Sequence, residues 1–159
     1  MEQIDLNLCG LTFDNMKIGI CSDHAGYEWK TDLVAYLSGK GYEIVDYGTN
    51  STESMDYPDV AHLLGRAVSD GTVDKGIAMC GTGNGMAITL NKYPKVRAGL
   101  AWNEDIAALV KQHNNANVLV MPARFASFET ALKMVDTWLN TQFEGGRHQR
   151  RIEKIPIQN

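Results

Sequence analysis

The hexapeptide Cys80-Gly81-Thr82-Gly83-Asn84-Gly85 is the segment of this sequence best suited to chemistry. It follows the apolar run at 76–79, which is typical of a short buried strand. Alternating glycines let a backbone turn tightly and direct several N–H groups at one point. Such donors bind a phosphate or a developing oxyanion, and the Cys80 thiol would stand beside whatever they bind. Taken alone, the loop is equally compatible with a tight turn after a buried cysteine.

Several glycine-loop chemistries fit poorly. A dinucleotide site needs G-x-G-x-x-G after the first strand, but these glycines run G-x-G-x-G and are followed by Met86 and Ala87. A thiolate phosphatase would need an arginine where Met86 stands, and a Walker loop would end in Gly-Lys-Ser/Thr. Redox chemistry would need a second cysteine near Cys80. A non-catalytic binding module for a small phosphorylated molecule stays open.

Proton transfer at a carbon next to a carbonyl fits these residues better. The reaction needs a base for the C–H proton and fixed donors for the resulting enediolate. Loop amides at a helix N-terminus favour the thiolate form of a cysteine, so Cys80 is our candidate base. The amides of the loop 81–85 would bind the enediolate oxygen. Arg147 and Arg151, four residues apart on a predicted helix, could bind a phosphate, although such a pair can also be a solvated helix end.

The elements around these residues alternate regularly along the chain. Apolar runs predict strands at 17–21, 42–46, 77–80, 96–102 and 118–121. Helical patterns lie between them at 29–37, from Pro58, from near Asn84 and over 106–113. Two more follow, one capped by Ser127 and ending at Gly145-Gly146, and one over 147–154. Strands alternating with helices predict a five-stranded parallel sheet in a three-layer α/β/α sandwich of Rossmann or flavodoxin type. We expect an N-terminal extension at 1–15 and one domain over 16–159.

Composition limits the possible partners. The 159 residues carry a net charge of −4, and their only basic cluster is the short Arg147-His148-Gln149-Arg150-Arg151. We therefore expect no nucleic-acid binding. No apolar run reaches the length of a membrane span, and the first residues lack a signal-peptide pattern. Three cysteines without metal-type spacing favour a reducing compartment, so we expect a cytoplasmic protein.

Six motifs together closely resemble the type B ribose-5-phosphate isomerase family, which also contains allose-6-phosphate and galactose-6-phosphate isomerases. The resemblance covers about 17–155. Its motifs are Ser-Asp-His-Ala-Gly at 22–26, Asp-Tyr-Pro at 56–58, Cys-Gly-Thr-Gly-Asn-Gly at 80–85, His-Asn at 113–114, Ala-Asn-Val-Leu at 116–119 and Gly-Gly-Arg-His-Gln-x-Arg at 145–151. A second branch of the family uses a glutamate after the glycine loop as base. With Cys80 and Met86, this chain resembles the cysteine branch.

The resemblance implies roles for individual residues. Cys80 would move a proton between C2 and C1, and His113 would open the furanose ring. Thr82 would face the sugar, and Gly81, Gly83, Asn84 and Gly85 would complete the enediolate site. The remaining implied contacts to the sugar or its phosphate are Asp23, His24, Tyr57, Asn114, Arg124, Arg147, His148 and Arg151.

We therefore expect interconversion of ribose 5-phosphate and ribulose 5-phosphate through a cis-enediolate, without a metal or cofactor. A six-carbon aldose 6-phosphate isomerase and a non-catalytic sugar-phosphate-binding module are the alternatives.

The predicted topology separates two of these residues. Cys80 ends a strand, whereas His113 and Asn114 precede one, and in a parallel sheet these are opposite edges. A strand holds them roughly 15–20 Å apart. We therefore expect a homodimer, or a dimer of dimers, in which His113 enters the site from a second subunit. The alternative is a helix that ends early and bends back.

Overall fold

The computed structural model describes residues 16–158, so the predicted extension at 1–15 lies outside the described residues. Within them, five strands form one sheet: β1 Lys17–Ser22, β2 Glu43–Asp46, β3 Lys75–Cys80, β4 Ala98–Leu100 and β5 Val118–Pro122. All neighbouring strands are parallel, in the order β2-β1-β3-β5-β4. The predicted five-stranded parallel sheet is confirmed. Its first three positions follow the flavodoxin order, and the last two strands are exchanged, which places β4 at the edge.

Six α-helices connect or follow these strands in the described part of the chain. They are α1 Tyr27–Gly39, α2 Tyr57–Asp70, α3 Asn84–Leu90, α4 Glu104–Gln112, α5 Phe128–Asn140 and α6 Arg147–Ile152. A 3-10 turn at His24–Gly26 precedes α1. Pro58 lies in the first turn of α2, and the Ser127 side chain caps α5 by accepting from the Thr130 amide. Among the described helices, none combines the length and apolar character that a bilayer crossing requires.

Strand β4 is shorter than the predicted 96–102. The Arg97 amide donates to the side-chain oxygen of Asn117, 2.8 Å away, and its carbonyl accepts from the Asn117 amide at 3.1 Å. These contacts replace regular ladder bonds, so the strand begins only at Ala98. Helix α4 also ends one residue early, at Gln112, and His113 becomes its C-cap.

The sheet is covered on both faces, which confirms the three-layer sandwich. Alternate residues of each strand face opposite layers. Ile20 and Ile77 belong to a core shared with α1, α4 and α5, whereas Cys21 and Ala78 belong to a core shared with α2 and α3. Both faces are therefore apolar, as expected for a buried parallel sheet.

The chain leaves the sheet centre in two directions. From β1 it crosses through α1 to β2 on one side, and from β3 it crosses through α3 to β4 on the other. The carboxyl ends of β1 and β3 are neighbours, with Ser22 paired to Met79. Ligands of open α/β sheets bind at such a switch point.

Candidate active site

Cys80 is the last residue of β3 and points into the layer of α2 and α3. It is 4% exposed, and its carbonyl accepts from the Ala123 amide at 2.9 Å, which fixes the end of β5 beside it. Cys21 on the neighbouring strand differs, because burial raises the pKa of its thiol far above the ordinary value. Cys21 therefore stays a neutral packing residue, and Cys80 is the thiol at the mouth of the switch point.

The loop after Cys80 needs its glycines. Gly83 has φ of +79° and caps α3, and a Cβ there would lie 2.4 Å from Cδ1 of Leu100. The Thr82 hydroxyl oxygen accepts from the Asn84 amide at 3.2 Å, so its hydrogen stays available to a ligand. This bond also engages the Asn84 amide, which is not free to bind an oxyanion. The Asn84 amide is therefore removed from the loop amides that were expected to bind an oxyanion.

Tyr57 and Arg124 lie over the loop. A Cβ on Gly85 would come within 2.5 Å of the Tyr57 ring, and one on Gly81 would lie 3.3 Å from Cδ and 3.4 Å from Nη1 of Arg124. The Arg124 amide also donates to the Gly81 carbonyl at 3.0 Å. An aromatic ring and a guanidinium thus flank the glycine loop in the same chain as Cys80.

Asp23 and His24 follow β1 at the same edge. Asp23 is 8% exposed, and its Oδ1 accepts from the amides of Ala25 and Gly26 at 2.9 and 3.3 Å. This carboxylate is thus largely committed to capping the 3-10 turn. Nδ1 of His24 accepts from the Met55 amide at 3.3 Å, which assigns the proton of a neutral ring to Nε2. The Nε2–H group is the one that His24 can offer to a ligand.

The predicted residues therefore form two separate groups. The carboxyl-edge group contains Asp23, His24, Tyr57, Cys80, Arg124 and the loop 81–85. The amino-edge group contains His113, Asn114, Arg147, His148 and Arg151.

The length of strand β5 gives the distance between the two groups. Its first residue, Val118, pairs with Gly76, and its last, Pro122, pairs with Cys80. Those four steps span about 13 Å, and His113 lies five residues before the strand begins. Helix α4 does not bend back, so within one chain His113 lies at the edge opposite to Cys80.

A stacked pair of imidazoles lies at the centre of the amino-edge group. The rings of His113 and His148 have centroids 4.3 Å apart and planes within 11° of each other. Oε2 of Glu144 lies 3.9 Å from Nε2 of His113 and 3.4 Å from Nε2 of His148. Burial, then the neighbouring His113 and Arg147, lower the pKa of His148, so its ring is neutral at neutral pH. Glu144 was not predicted, although its position four residues before His148 was a usable signal.

This cluster is also where a metal could be considered. The ligand atoms of His113, Glu144 and His148 all lie within 4.8 Å of one another. A metal ion lies in the plane of each imidazole that binds it, at about 2.0–2.1 Å for zinc. Because the two rings are stacked almost in parallel, one ion cannot lie in both planes. As arranged, the cluster is not suited to holding one metal ion between the two rings.

Helix α6 presents two cations beside the stacked rings. Arg147 and Arg151 are exposed and one helical turn apart. Within residues 16–158, neither guanidinium is paired with a carboxylate. Two unpaired guanidinium groups on one helix face are well suited to a phosphate dianion.

A groove of about 720 Å³ lies between the edge strand β4 and the C-terminal segment. Its walls include Tyr93, Val110, Ile152 and Ile155, and Asn114 is the only predicted site residue among them. The groove therefore belongs to the amino edge and not to the surroundings of Cys80.

Several known proteins are similar to this chain over most of its length. The Ribose/Galactose Isomerase family matches residues 18–155. Ribose-5-phosphate isomerase B of Escherichia coli (strain K12) is 45% identical over 139 residues, covering 87% of this chain and 93% of that protein. A probable ribose-5-phosphate isomerase B of Mycoplasma genitalium is 43% identical over 143 residues, covering 89% and 94%.

Solved structures agree over the same region. A ribose 5-phosphate isomerase from Thermotoga maritima has a TM-score of 0.86 and 50% identity, covering 88% of this chain and 97% of that one. A ribose-5-phosphate isomerase B from Mycoplasma genitalium, solved with bound ribulose-5-phosphate, has a TM-score of 0.85 and 44% identity, covering 88% and 93%. The fold of this region is thus shared with these proteins.

Proposed function

This chain belongs to the ribose/galactose isomerase family, and from that premise we propose that it interconverts ribose 5-phosphate and ribulose 5-phosphate. The names of its relatives support an aldose-ketose isomerase with this substrate. The observation that carries the proposal for this chain is the position of Cys80. Cys80 is the last residue of β3, so its thiol lies at the switch point beside the glycine loop. Arg124 lies at the same carboxyl edge of the sheet.

In the proposed reaction, the Cys80 thiolate removes the proton from C2 of the open-chain aldose. The electron pair forms the C1–C2 double bond of a cis-enediolate, and the charge develops on O1. Amides of the glycine loop stabilise that oxygen. The protonated thiol then returns its proton to C1, while the O2 proton moves to O1 and C2 becomes the ketone. The hydroxyl of Thr82, whose oxygen already accepts from Asn84, can relay that second proton.

Ribose 5-phosphate is mainly a closed furanose, so the ring must open before the proton is transferred. We propose that the imidazole of His113 takes the proton from the O1 hydroxyl as the C1–O4 bond breaks, and that the resulting imidazolium gives this proton to O4. Stacking on the neutral ring of His148 supports this role, because it adds no positive charge beside the base.

We propose that a second subunit brings the amino-edge group to the carboxyl-edge group of the first. His113, Asn114, Arg147 and Arg151 would then come from one chain, and Cys80 and its loop from the other. The separation of the two groups in one chain supports this arrangement, and a two-fold dimer would contain two such sites. Because the Arg124 amide donates to the Gly81 carbonyl, Arg124 would act in the chain that supplies Cys80.

Initial rates on ribose 5-phosphate, allose 6-phosphate and galactose 6-phosphate test the substrate, with deuterium incorporation from heavy water as the second readout. We expect the pentose phosphate to give the highest kcat/KM and to exchange its C2 proton with solvent. A higher kcat/KM on a hexose phosphate would assign the chain to the six-carbon branch. Binding of these sugars without exchange or turnover would indicate a non-catalytic sugar-phosphate-binding module.

A further inference from the structure

We infer that Arg97 is a positioning residue for the ring-opening step, because its guanidinium clamps the turn that carries His113. The inference rests on the proposed function, in which His113 opens the furanose. Arg97 directly precedes the edge strand β4 and was not among the predicted site residues. It touches neither Cys80 nor the glycine loop in the contacts of the described chain, and the turn that it holds, directly after His113, is its route to the site.

The clamp consists of three hydrogen bonds to main-chain carbonyls. Nε of Arg97 donates to the carbonyls of Asn114 and Asn115, each at 3.1 Å, and Nη2 donates to the Asn115 carbonyl at 3.0 Å. Asn114 and Asn115 lie past the C-cap of α4, so their carbonyls accept no hydrogen bond within the helix. Arg97 thus satisfies two carbonyls directly after His113, the C-cap of the helix.

The turn itself has a backbone conformation that needs support. Asn115 has φ of +45°, in the left-handed region, which asparagine adopts more readily than most residues other than glycine but still at a cost. Its side-chain oxygen accepts from Nζ of Lys111 at 2.6 Å, while its carbonyl accepts from Arg97. Asn115 is therefore held by its side chain from α4 and by its main chain from the strand side.

Arg97 is well anchored for this task. Its amide donates to Oδ1 of Asn117, and its carbonyl accepts from the amides of Asn117 and Val118 at 3.1 and 3.3 Å. Its guanidinium is half-buried against the turn. The arginine thereby connects the sheet to the end of α4 and fixes the backbone from which the His113 ring projects.

An arginine suits this position better than a lysine. The planar guanidinium directs Nε and Nη2 at two successive carbonyls, whereas an ammonium group offers a single point of charge. Loss of the fork would free the turn to shift. A misplacement of about 1 Å at a catalytic group can cost on the order of 100-fold in rate.

A comparison of the rates in the two directions of the reaction distinguishes a positioning role of Arg97 from a loss of folded protein. Ribulose 5-phosphate has no ring to open, because the O5 that would close a furanose carries the phosphate. The reverse reaction can also release open-chain ribose 5-phosphate, which closes unaided. A displaced His113 therefore lowers kcat on ribose 5-phosphate more than kcat on ribulose 5-phosphate, whereas loss of folded protein lowers both equally. The ratio of the two kcat/KM values is fixed by the equilibrium constant, so the comparison is made at saturating substrate.

The test compares Arg97→Lys and Arg97→Gln with the wild type and with Arg66→Gln, a control at an exposed arginine of α2. We expect kcat on ribose 5-phosphate, at saturating substrate, to fall at least about tenfold further than kcat on ribulose 5-phosphate in both Arg97 variants. The Arg66 variant should keep the wild-type ratio. An equal fall in both directions, or no fall, would overturn the inference. Arg97→Lys keeps the charge, so it preserves the test if Arg97→Gln does not fold.

A second measurement does not depend on activity. In proton NMR spectra, stacking on His148 shifts the ring resonances of His113, and the Arg97 variants should lose part of that shift. An unchanged shift in both variants would overturn the clamp even if the wild type is an active isomerase. A wild type that isomerises no sugar phosphate, together with a lost shift in the variants, would overturn the proposed function and leave the clamp as a structural contact.

Discussion

The imidazole of His113 lies face to face with that of His148, 4.3 Å between centroids, at the edge of the sheet opposite to Cys80. The stack depends on the contact between the end of α4 and the segment before α6, where the Glu144 amide donates to the Gln112 carbonyl at 3.1 Å. Every chain thus carries both the proposed ring-opening group and the proposed proton-transfer group, but at opposite edges of its sheet. Our account therefore requires two chains for one site.

The first prediction concerns the base. Cys80→Ser should lower kcat by about 10²–10⁴-fold in both directions, because a serine hydroxyl is a far poorer base than a thiolate. Sugar-phosphate affinity, measured by calorimetry, should change little. Cys21→Ala is the matched control, since it removes a buried thiol without touching the loop. It should keep kcat and lose about 1 kcal/mol of unfolding free energy. Near-normal turnover of Cys80→Ser would place the base elsewhere.

The second prediction concerns the glycine loop. Gly83→Ala forces a side chain into a left-handed backbone and against Leu100, so it should lower the unfolding free energy by about 1–3 kcal/mol and lower kcat further than stability alone explains. Gly39 ends α1 with nothing within 4 Å of an added Cβ. Gly39→Ala should therefore be neutral or stabilise by up to about 1 kcal/mol. Equal denaturant midpoints for the two variants would contradict the structure of this loop.

The third prediction concerns phosphate recognition. Replacing Arg151 by alanine removes a charge-assisted bond of about 1.5–3 kcal/mol, which corresponds to a rise in KM for ribose 5-phosphate of roughly 10–100-fold. Arg147→Ala should behave similarly. Arg150 is exposed and turned about 100° from Arg151 on the helix, so Arg150→Ala is the control and should leave KM near its wild-type value. If KM is unchanged in Arg151→Ala, the pair is only surface charge.

The fourth prediction concerns pH and stability. Burial, with smaller contributions from Lys75 and Arg97, lowers the pKa of Lys111 to about 8, against 10.5 for a free lysine. Between these values the unfolded chain binds more protons than the folded one, so the unfolding free energy should rise with pH across that window.

Lys111→Gln removes the titrating group and should flatten this rise in urea unfolding measured from pH 7 to pH 10.5. The glutamine amide can still donate toward Asn115, so the turn keeps a partner. Identical pH slopes for the two proteins would show that Lys111 titrates like a free lysine.

Much of this architecture follows from simple patterns in the sequence. Apolar runs predicted all five strands, and the parallel rule alone predicted that Cys80 and His113 lie at opposite edges. The extent of β4 was not predictable, because it is set by a side chain, that of Asn117, which replaces ladder bonds at Arg97. The Arg97 side chain donates hydrogen bonds to main-chain carbonyls, and such bonds produce no recognisable pattern of residue types in the sequence. The exchange of the last two strands likewise depends on long-range packing.

The shared site is the central claim, and a heterodimer purified with two different tags tests it most directly. One chain carries Cys80→Ser and the other His113→Asn, so a site built across the interface leaves one of the two sites with both wild-type residues. The cis control pairs a wild-type chain with a chain carrying both substitutions. In that dimer, each shared site has one defective residue.

Turnover of ribose 5-phosphate is the measurement. We predict that the Cys80→Ser/His113→Asn heterodimer recovers about half of the wild-type rate per dimer while the cis control turns over far more slowly, because a two-fold dimer holds two equivalent sites. If the cis control is active and the mixed heterodimer is not, Cys80 and His113 act within one chain. That result would contradict the shared site.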